Sequence, residues 1–279
     1  VERSYRISKV LNNNVVIAEH PEKGEVVLIG KGLGFGRKPG GEIGPEAVDK
    51  CFVLADRKEQ EQYKELLRQV DERVVEVMNE AIDLIQKRFG TPLGEHIHVA
   101  LTDHIAFALK RLEKGIDFRN PFLLETEALY EREYKVAEEV VDLIRRKLGV
   151  RLPEGETGFI AVHIHSSLTR RKLAEIRRHS QLIQRLTELA EETLGVNIDR
   201  KSVSYLRLLT HLRCAIERTL SGEEVSEPEG FSELLRNQYP LCYNLAWKMA
   251  KVMERALEKR VHPAEVGYLT LHLLRLSHP

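Results

Sequence analysis

Three cysteines in 279 residues, Cys51, Cys214 and Cys242, are too few and too widely spaced for a disulfide framework or a CxxC metal motif. The odd count suits a reducing compartment. Long apolar runs are missing too: nothing approaches the roughly 20 residues needed to span a bilayer, and the opening VERSYRISK has no secretory-leader character. These absences imply a cytoplasmic protein without stable membrane insertion. Charge of one sign is also lacking, since 43 Lys+Arg balance 43 Asp+Glu, so bulk electrostatics give no argument for nucleic-acid binding. The balance is local: residues 1–38 hold seven basic residues (Arg3, Arg6, Lys9, Lys23, Lys31, Arg37, Lys38) against four acids (Glu2, Glu19, Glu22, Glu25).

What the chain has is repetition. From Tyr130 to the histidine of GFIAVH (His163) is 33 residues, and from Tyr239 to that of GYLTLH (His272) is again 33. Upstream of each tyrosine, on a leucine-rich segment, stands another histidine, His104 in LTDHIAFAL and His211 in LRLLTHLRCAI. The second part of the chain is therefore two copies of one module, each with a histidine pair. A unit of about 100 residues is too long for a solenoid repeat and reads as tandem domains.

Residues 1 to about 55 alternate apolar and polar positions in YRISKVL, NVVIAEH, EVVLIG and CFVLA, which predicts a small antiparallel sheet. Helical period begins near residue 59 with EQEQYKELLRQVDERVVEVMNEAIDLIQKRF and persists to the end. Breaks at Gly90–Pro92, Asn120–Pro121, Leu152–Gly155, Ser221–Gly230, Tyr239–Pro240 and His262–Pro263 divide it into roughly ten helices. Thr169–His179 (TRRKLAEIRRH) lacks Gly and Pro and is expected to be a helical connector between the copies. The fold class is multidomain: a small antiparallel β-sheet domain over 1–58, then two homologous all-α helical-bundle domains over 59–170 and 171–279. In each copy the last helix opens alike, with Pro153 or Pro263, a first-turn carboxylate favoured by the helix dipole (Glu156, Glu265), and a glycine (Gly158, Gly267) that suits either a close helix approach or a helix start.

All four histidines fall on or beside an apolar stripe. One reading is hydrogen-bonded interior histidines; repetition at equivalent places argues for chemistry. Zinc could use His96, His98, His104, His163 and His165 of the first copy, but a His-x-His on a helix points its rings apart and the second copy has none. No metal or cofactor is expected. Acid–base catalysis by Asp103 and His104 lacks a nucleophile or a glycine loop. The third chemistry is phosphoryl acceptance, because a neutral imidazole is a nucleophile near pH 7 and a phosphoryl group adds close to two negative charges.

In the first part, LNNNV is by default a hairpin turn whose asparagines tolerate positive φ. IGKGLGFGRK interleaves Gly32, Gly34 and Gly36 with Lys31, Phe35, Arg37 and Lys38. No helix pattern follows it, so a nucleotide loop is disfavoured. Close backbone approach, an exposed aromatic and flanking cations suit unpaired RNA.

Taken together, KVLNNNVVIAEH, VVLIGKGLGFGRK, LTDHIAFAL, NPFLLETEALY, GFIAVHIHSS, YLRLLTHLRCAIER, NQYPLCYNLAW and GYLTLHLLRL resemble a transcriptional antiterminator of the sugar phosphotransferase system, more its glucose-type branch than the β-glucoside one. The resemblance covers essentially the whole chain. It implies a co-antiterminator RNA-binding domain and two phosphotransferase regulation domains, with Asn14, Gly30, Lys31, Gly32 and Phe35 at RNA-contacting positions and Lys9, Asn12 and Arg37 beside them. It also implies phosphorylation at His104, His163, His211 and His272, with Asp103 supporting the first. Partners implied are a leader RNA hairpin, a sugar-specific enzyme II component acting on the first repeat, the phosphocarrier protein HPr acting on the second, and a second copy in a homodimer. The implied protein is a regulator, not an enzyme; the alternative is a histidine phosphorelay or metal-dependent enzyme built on the helical domains. Thr210 stands where the first copy has Asp103, and His165 adds a histidine beside His163. With seven residues after His272, no fused domain is expected.

Overall fold

The computed structural model describes residues 4–52, 57–94, 96–116 and 120–277. Its chain forms two compact units, one from Val1–Arg119 and Lys135–Arg170, the other from Asn120–Tyr134 and Arg171–Pro279. The first begins with strands β1 (Tyr5–Val10), β2 (Val15–His20), β3 (Gly24–Ile29), β4 (Glu42–Ile43) and β5 (Lys50–Phe52), ordered β4-β1-β2-β3-β5 with antiparallel neighbours. The last residues of the CFVLA segment lie outside the described residues. One face packs Tyr5, Ile7, Val16, Ala18, Val26, Leu28 and Ile43 with Leu33 from the loop after β3.

Strict alternation fails on the two central strands. Val15, Val16, Ile17 and Ala18 are all buried, as are Val26, Val27, Leu28 and Ile29. Each strand is covered on both faces, so its side chains are apolar in sequence, as in the interior of an α/β sheet.

Helices of the first unit are α1 (Arg57–Gln69), α2 (Glu72–Phe89), α3 (His96–Glu113), α5 (Glu131–Leu148, from its second turn) and α6 (Glu154–Thr169). The run read as one helix from residue 59 is two. Asp71 breaks it, its carboxylate accepting the Arg73 N–H at 2.8 Å as an N-cap, which offsets an orphan donor of α2. Lys64 of α1 pairs with Glu25 of β3 and so ties the helix to the sheet.

The second unit holds α4 (Leu123–Leu129), α7 (Leu173–Leu194), α8 (Val203–Ser221), α9 (Phe231–Gln238), α10 (Pro240–Leu257) and α11 (Ala264–Ser277). Thr169–His179 is not one connector helix: α6 ends at Thr169, Arg170 turns left-handed at φ 53°, and α7 starts at Leu173. A non-glycine there costs about 1 kcal/mol, which the absence of Gly and Pro did not reveal. The helical order α2–α6 recurs as α7–α11. In both copies the histidine-bearing last helix is buried on nearly every side, as in a helix at the centre of a bundle. Gly267 makes the close approach considered for it: an added Cβ would lie 2.9 Å from the Phe231 ring.

One element breaks the repeat. α4, encoded in the first copy, packs on α8 of the second unit, where the Tyr205 hydroxyl donates to Glu125 at 2.8 Å and accepts from Arg200 at 2.9 Å. Its counterpart α9 packs within its own copy, against α10 and α11.

Candidate functional site

Two loops of the sheet meet at one edge. The turn Leu11–Asn14 and the loop Gly30–Arg37 are joined by Gly30 N–H to Asn14 O (2.9 Å), Gly34 N–H to Asn13 O (2.7 Å) and Gly32 N–H to the Asn14 Oδ1 (2.7 Å). Gly34 is required by this fit, because a Cβ would sit 2.2 Å from Asn12 O. The asparagines use no positive φ. The turn instead closes when the Asn12 carboxamide oxygen accepts the Asn14 N–H at 3.0 Å, an Asx turn. Asn12 Nδ2 is buried without an acceptor among the described residues.

The expected RNA residues gather here. Lys9 and Lys31 are exposed, and Phe35 is 76% exposed, an unusual place for an aromatic. Lys31 N–H is held by Asp49 at 3.2 Å. Arg37 is engaged: its guanidinium donates to Glu42 O at 2.8 Å and props the β4 edge. The asparagines also touch helix α2. Asn13 N–H donates to Glu72 Oε1 at 2.9 Å and its Nδ2 to Oε2 at 3.3 Å, while Asn14 Nδ2 donates to Glu76 Oε1 at 2.6 Å. Glu72 and Glu76 stand one helical turn apart, so one face of α2 presents both carboxylates.

The histidines pair as the repeat implied. In the first unit the rings of His104 on α3 and His163 on α6 lie 5.0 Å apart; in the second, His211 on α8 and His272 on α11 lie 4.7 Å apart. His163 is buried, and His104 and His211 keep 13% side-chain exposure. A cavity of about 460 Å³ opens beside His211 and His272, with Arg207, Arg218 and Cys214 on its wall. Burial holds His272 well below the ordinary histidine range, at about 4, helped by its neighbours His211, Arg275 and Arg207.

A third group completes each pair. Asp103, expected to support His104, is exposed. The partner is Glu156, 2% exposed, whose Oε2 lies 2.7 Å from His104 Nε2 and whose Oε1 accepts from Arg111 Nη2 at 2.7 Å. In the second unit Glu265, 1% exposed, accepts from Arg218 Nε (2.7 Å) and Nη2 (3.1 Å), and His211 Nε2 lies 3.2 Å from its Oε2. Burial opposes the charge on Glu265, but its contacts with His211 and Arg218 prevail and keep the carboxyl below its usual range. Position in the first helical turn alone assigns these glutamates only to the helix dipole. The missed signal was spacing: each arginine follows its histidine by seven residues (104 to 111, 211 to 218), and each glutamate precedes its histidine by seven (156 to 163, 265 to 272). Seven residues are two helical turns, hence one face.

A sheet edge built from an asparagine turn and a glycine loop, followed by two helical domains with matching histidine–glutamate–arginine clusters, falls in a regulatory RNA-binding class by comparison with known proteins. The CAT RNA binding domain family matches residues 5–61, and the PRD domain family matches 79–167 and again 184–276. The chain is 53% identical over 274 residues to the PtsGHI operon antiterminator of Bacillus subtilis (strain 168), covering 98% of both. It is 40% identical over 272 residues to the GlcA/glcB genes antiterminator of Staphylococcus carnosus (strain TM300), covering 97% of this chain and 95% of that protein. A crystal structure of GlcT CAT-PRDI aligns with TM-score 0.56 at 56% identity, over 60% of this chain and 99% of that one. The chain belongs to the family of phosphotransferase-system antiterminators built from a CAT RNA-binding domain and two PRD domains. Among the described residues no helix is long and apolar enough to cross a membrane.

Proposed function

We propose that this chain binds a leader-RNA hairpin through the 11–14 and 30–37 loops and so prevents a terminator hairpin from forming. Lys9 and Lys31 meet phosphates, the Asn12 and Asn14 carboxamides meet base edges, and Phe35 stacks on an unpaired base, with Gly30 and Gly32 shaping the approach. The binding species is a homodimer in the cytoplasm. It is a regulator and not an enzyme, with three domains over 1–58, 59–170 and 171–279. His104 and His163 accept phosphoryl groups from the sugar-specific enzyme II component, and His211 and His272 from HPr. Glucose is the inducing sugar, because its influx drains phosphate from the first repeat.

The observation that supports control of one part by the other is the bonding of Asn13 and Asn14 to Glu72 and Glu76. Those carboxylates occupy donors that RNA would use, and they sit on α2, which packs against α3, the helix carrying His104. A phosphoryl charge on His104 shifts the favoured packing of α3, and with it the position of α2, which makes the pair of helices a switch. RNA binding requires α2 to release the asparagines.

The test is binding of the full chain to the leader hairpin of its own operon, before and after treatment with phosphorylated enzyme II component, alongside His104→Ala. Loss of binding on phosphorylation, absent in the variant, is expected. Failure to bind RNA in either state refutes the reading.

A further inference from the structure

Each repeat places one buried carboxylate between the same two partners, an arginine and the first histidine of the pair. We propose that Glu156 and Glu265 are positioning residues that fix the tautomer of His104 and His211 and so direct the phosphoryl group to Nδ1 of each ring. This rests on the phosphoacceptor reading above and adds to it the atom modified and the residue that selects it.

An ionised carboxylate only accepts hydrogen bonds. Glu156 is 2% exposed and its Oε1 is taken by Arg111, so Oε2, 2.7 Å from His104 Nε2, requires Nε2 to carry the proton. The neutral ring then keeps its lone pair on Nδ1. In the transfer, that lone pair forms the new P–N bond while the bond from phosphorus to the donor's phosphorylated side chain breaks, and the donor atom leaves with the electron pair. Nε2 keeps its proton throughout. The phosphorylated ring is therefore cationic beside Glu156, which stabilises it as the aspartate of a serine-protease triad stabilises its imidazolium. A protonated phosphoimidazole gives up its phosphoryl group more readily than a neutral one, so the same carboxylate keeps the modification reversible.

The second repeat uses the same parts less sharply. Glu265 gives one oxygen to Arg218 Nε and the other to Nη2, and His211 Nε2 is buried 3.2 Å from Oε2 without the alignment of a hydrogen bond. Selection of Nδ1 is accordingly weaker on His211. His272 is arranged the other way round. Its Nδ1 is buried with no partner among the described residues, which leaves Nε2 as the nitrogen for a phosphoryl group there.

The experiment uses full-length protein with ¹⁵N-labelled histidine rings, treated with phosphorylated enzyme II component and separately with phosphorylated HPr. Two-bond ¹H–¹⁵N correlations distinguish Nδ1- from Nε2-phosphohistidine at each assigned ring. The expected result is the Nδ1 isomer alone on His104, predominantly Nδ1 on His211, and Nε2 on His272. Glu156→Gln, whose amide offers either a donor or an acceptor, is expected to give both isomers at His104. An Nε2 isomer on wild-type His104 overturns the proposal whatever the variant does. An unchanged isomer in folded Glu156→Gln removes Glu156 from the role. Absence of phosphohistidine at all four positions overturns this proposal together with the regulatory reading on which it rests.

Discussion

The two repeats carry the same histidine pair, glutamate and arginine and use the buried glutamate differently. In the first, Glu156 divides its oxygens, one to Arg111 and one to His104, each at 2.7 Å. In the second, Arg218 takes both oxygens of Glu265, and His211 stays at 3.2 Å. A bidentate guanidinium–carboxylate pair is a strong structural clamp; a carboxylate with one oxygen reserved for an imidazole is a better director of its proton. The first site is thus organised around its histidine and the second around its arginine. Repetition of sequence preserved the parts, and a difference of half an ångström decided which partner dominates.

The largest effects test that division directly. Glu265→Ala and Glu156→Ala each remove the buried carboxylate from a partly buried arginine, and breaking a fully buried ion pair costs about 3–5 kcal/mol. Glu265→Ala is expected to cost the more in denaturant unfolding of the full chain, since it removes two guanidinium bonds; the reverse order breaks the comparison. The next test is pH. His272 is held at about 4, by burial first, against an ordinary 6.5, so the unfolded chain binds a proton that the folded state refuses. Stability from this group is fully present above pH 6.5, falls as pH drops from about 6.5 towards 4, and changes no further below that. Thermal midpoints of His272→Gln against the parent should show a flatter slope in that window alone.

A smaller effect separates α2 from its counterpart α7. Glu72→Gln with Glu76→Gln weakens the charge-assisted bonds to Asn13 and Asn14, and leader-RNA affinity should rise about tenfold, the equivalent of roughly 1.4 kcal/mol. Glu188→Gln on the exposed face of α7 should leave it unchanged. An unchanged affinity in the α2 pair would remove these bonds from any gating role. The smallest effect probes the exchanged helix: Tyr205→Phe removes the hydroxyl between Glu125 and Arg200 and is expected to cost about 1 kcal/mol, read by chemical denaturation.

Period was the legible part of this chain. Short apolar segments between Asn- and Gly-rich breaks located the sheet although two of them do not alternate, the equal Tyr-to-His spacings located the repeat, and apolar offsets put His104, His163, His211 and His272 on interior faces, where the rings meet in pairs. Helix ends set by side chains rather than by Gly or Pro were harder to see. Asp71 ends one helix and caps the next, and Arg170 takes a left-handed turn that its residue type does not advertise. Asp103 drew attention because it adjoins His104, but neighbours on a helix diverge by about 100°, and the carboxylate that reaches the ring comes from 52 residues away.

The sequence by itself determined the two architectures and the repetition, because secondary structure follows hydrophobic period and period is local. It also showed the glycine-rich loop, although the close fit of Gly34 against Asn12 is a tertiary contact. Only the tertiary structure decided which carboxylate meets which histidine, that Asn13 and Asn14 are held by α2, and that α4 packs on the second unit. Those outcomes depend on how separate helices are brought side by side, and spacing along one chain fixes the face a residue occupies without fixing what that face meets.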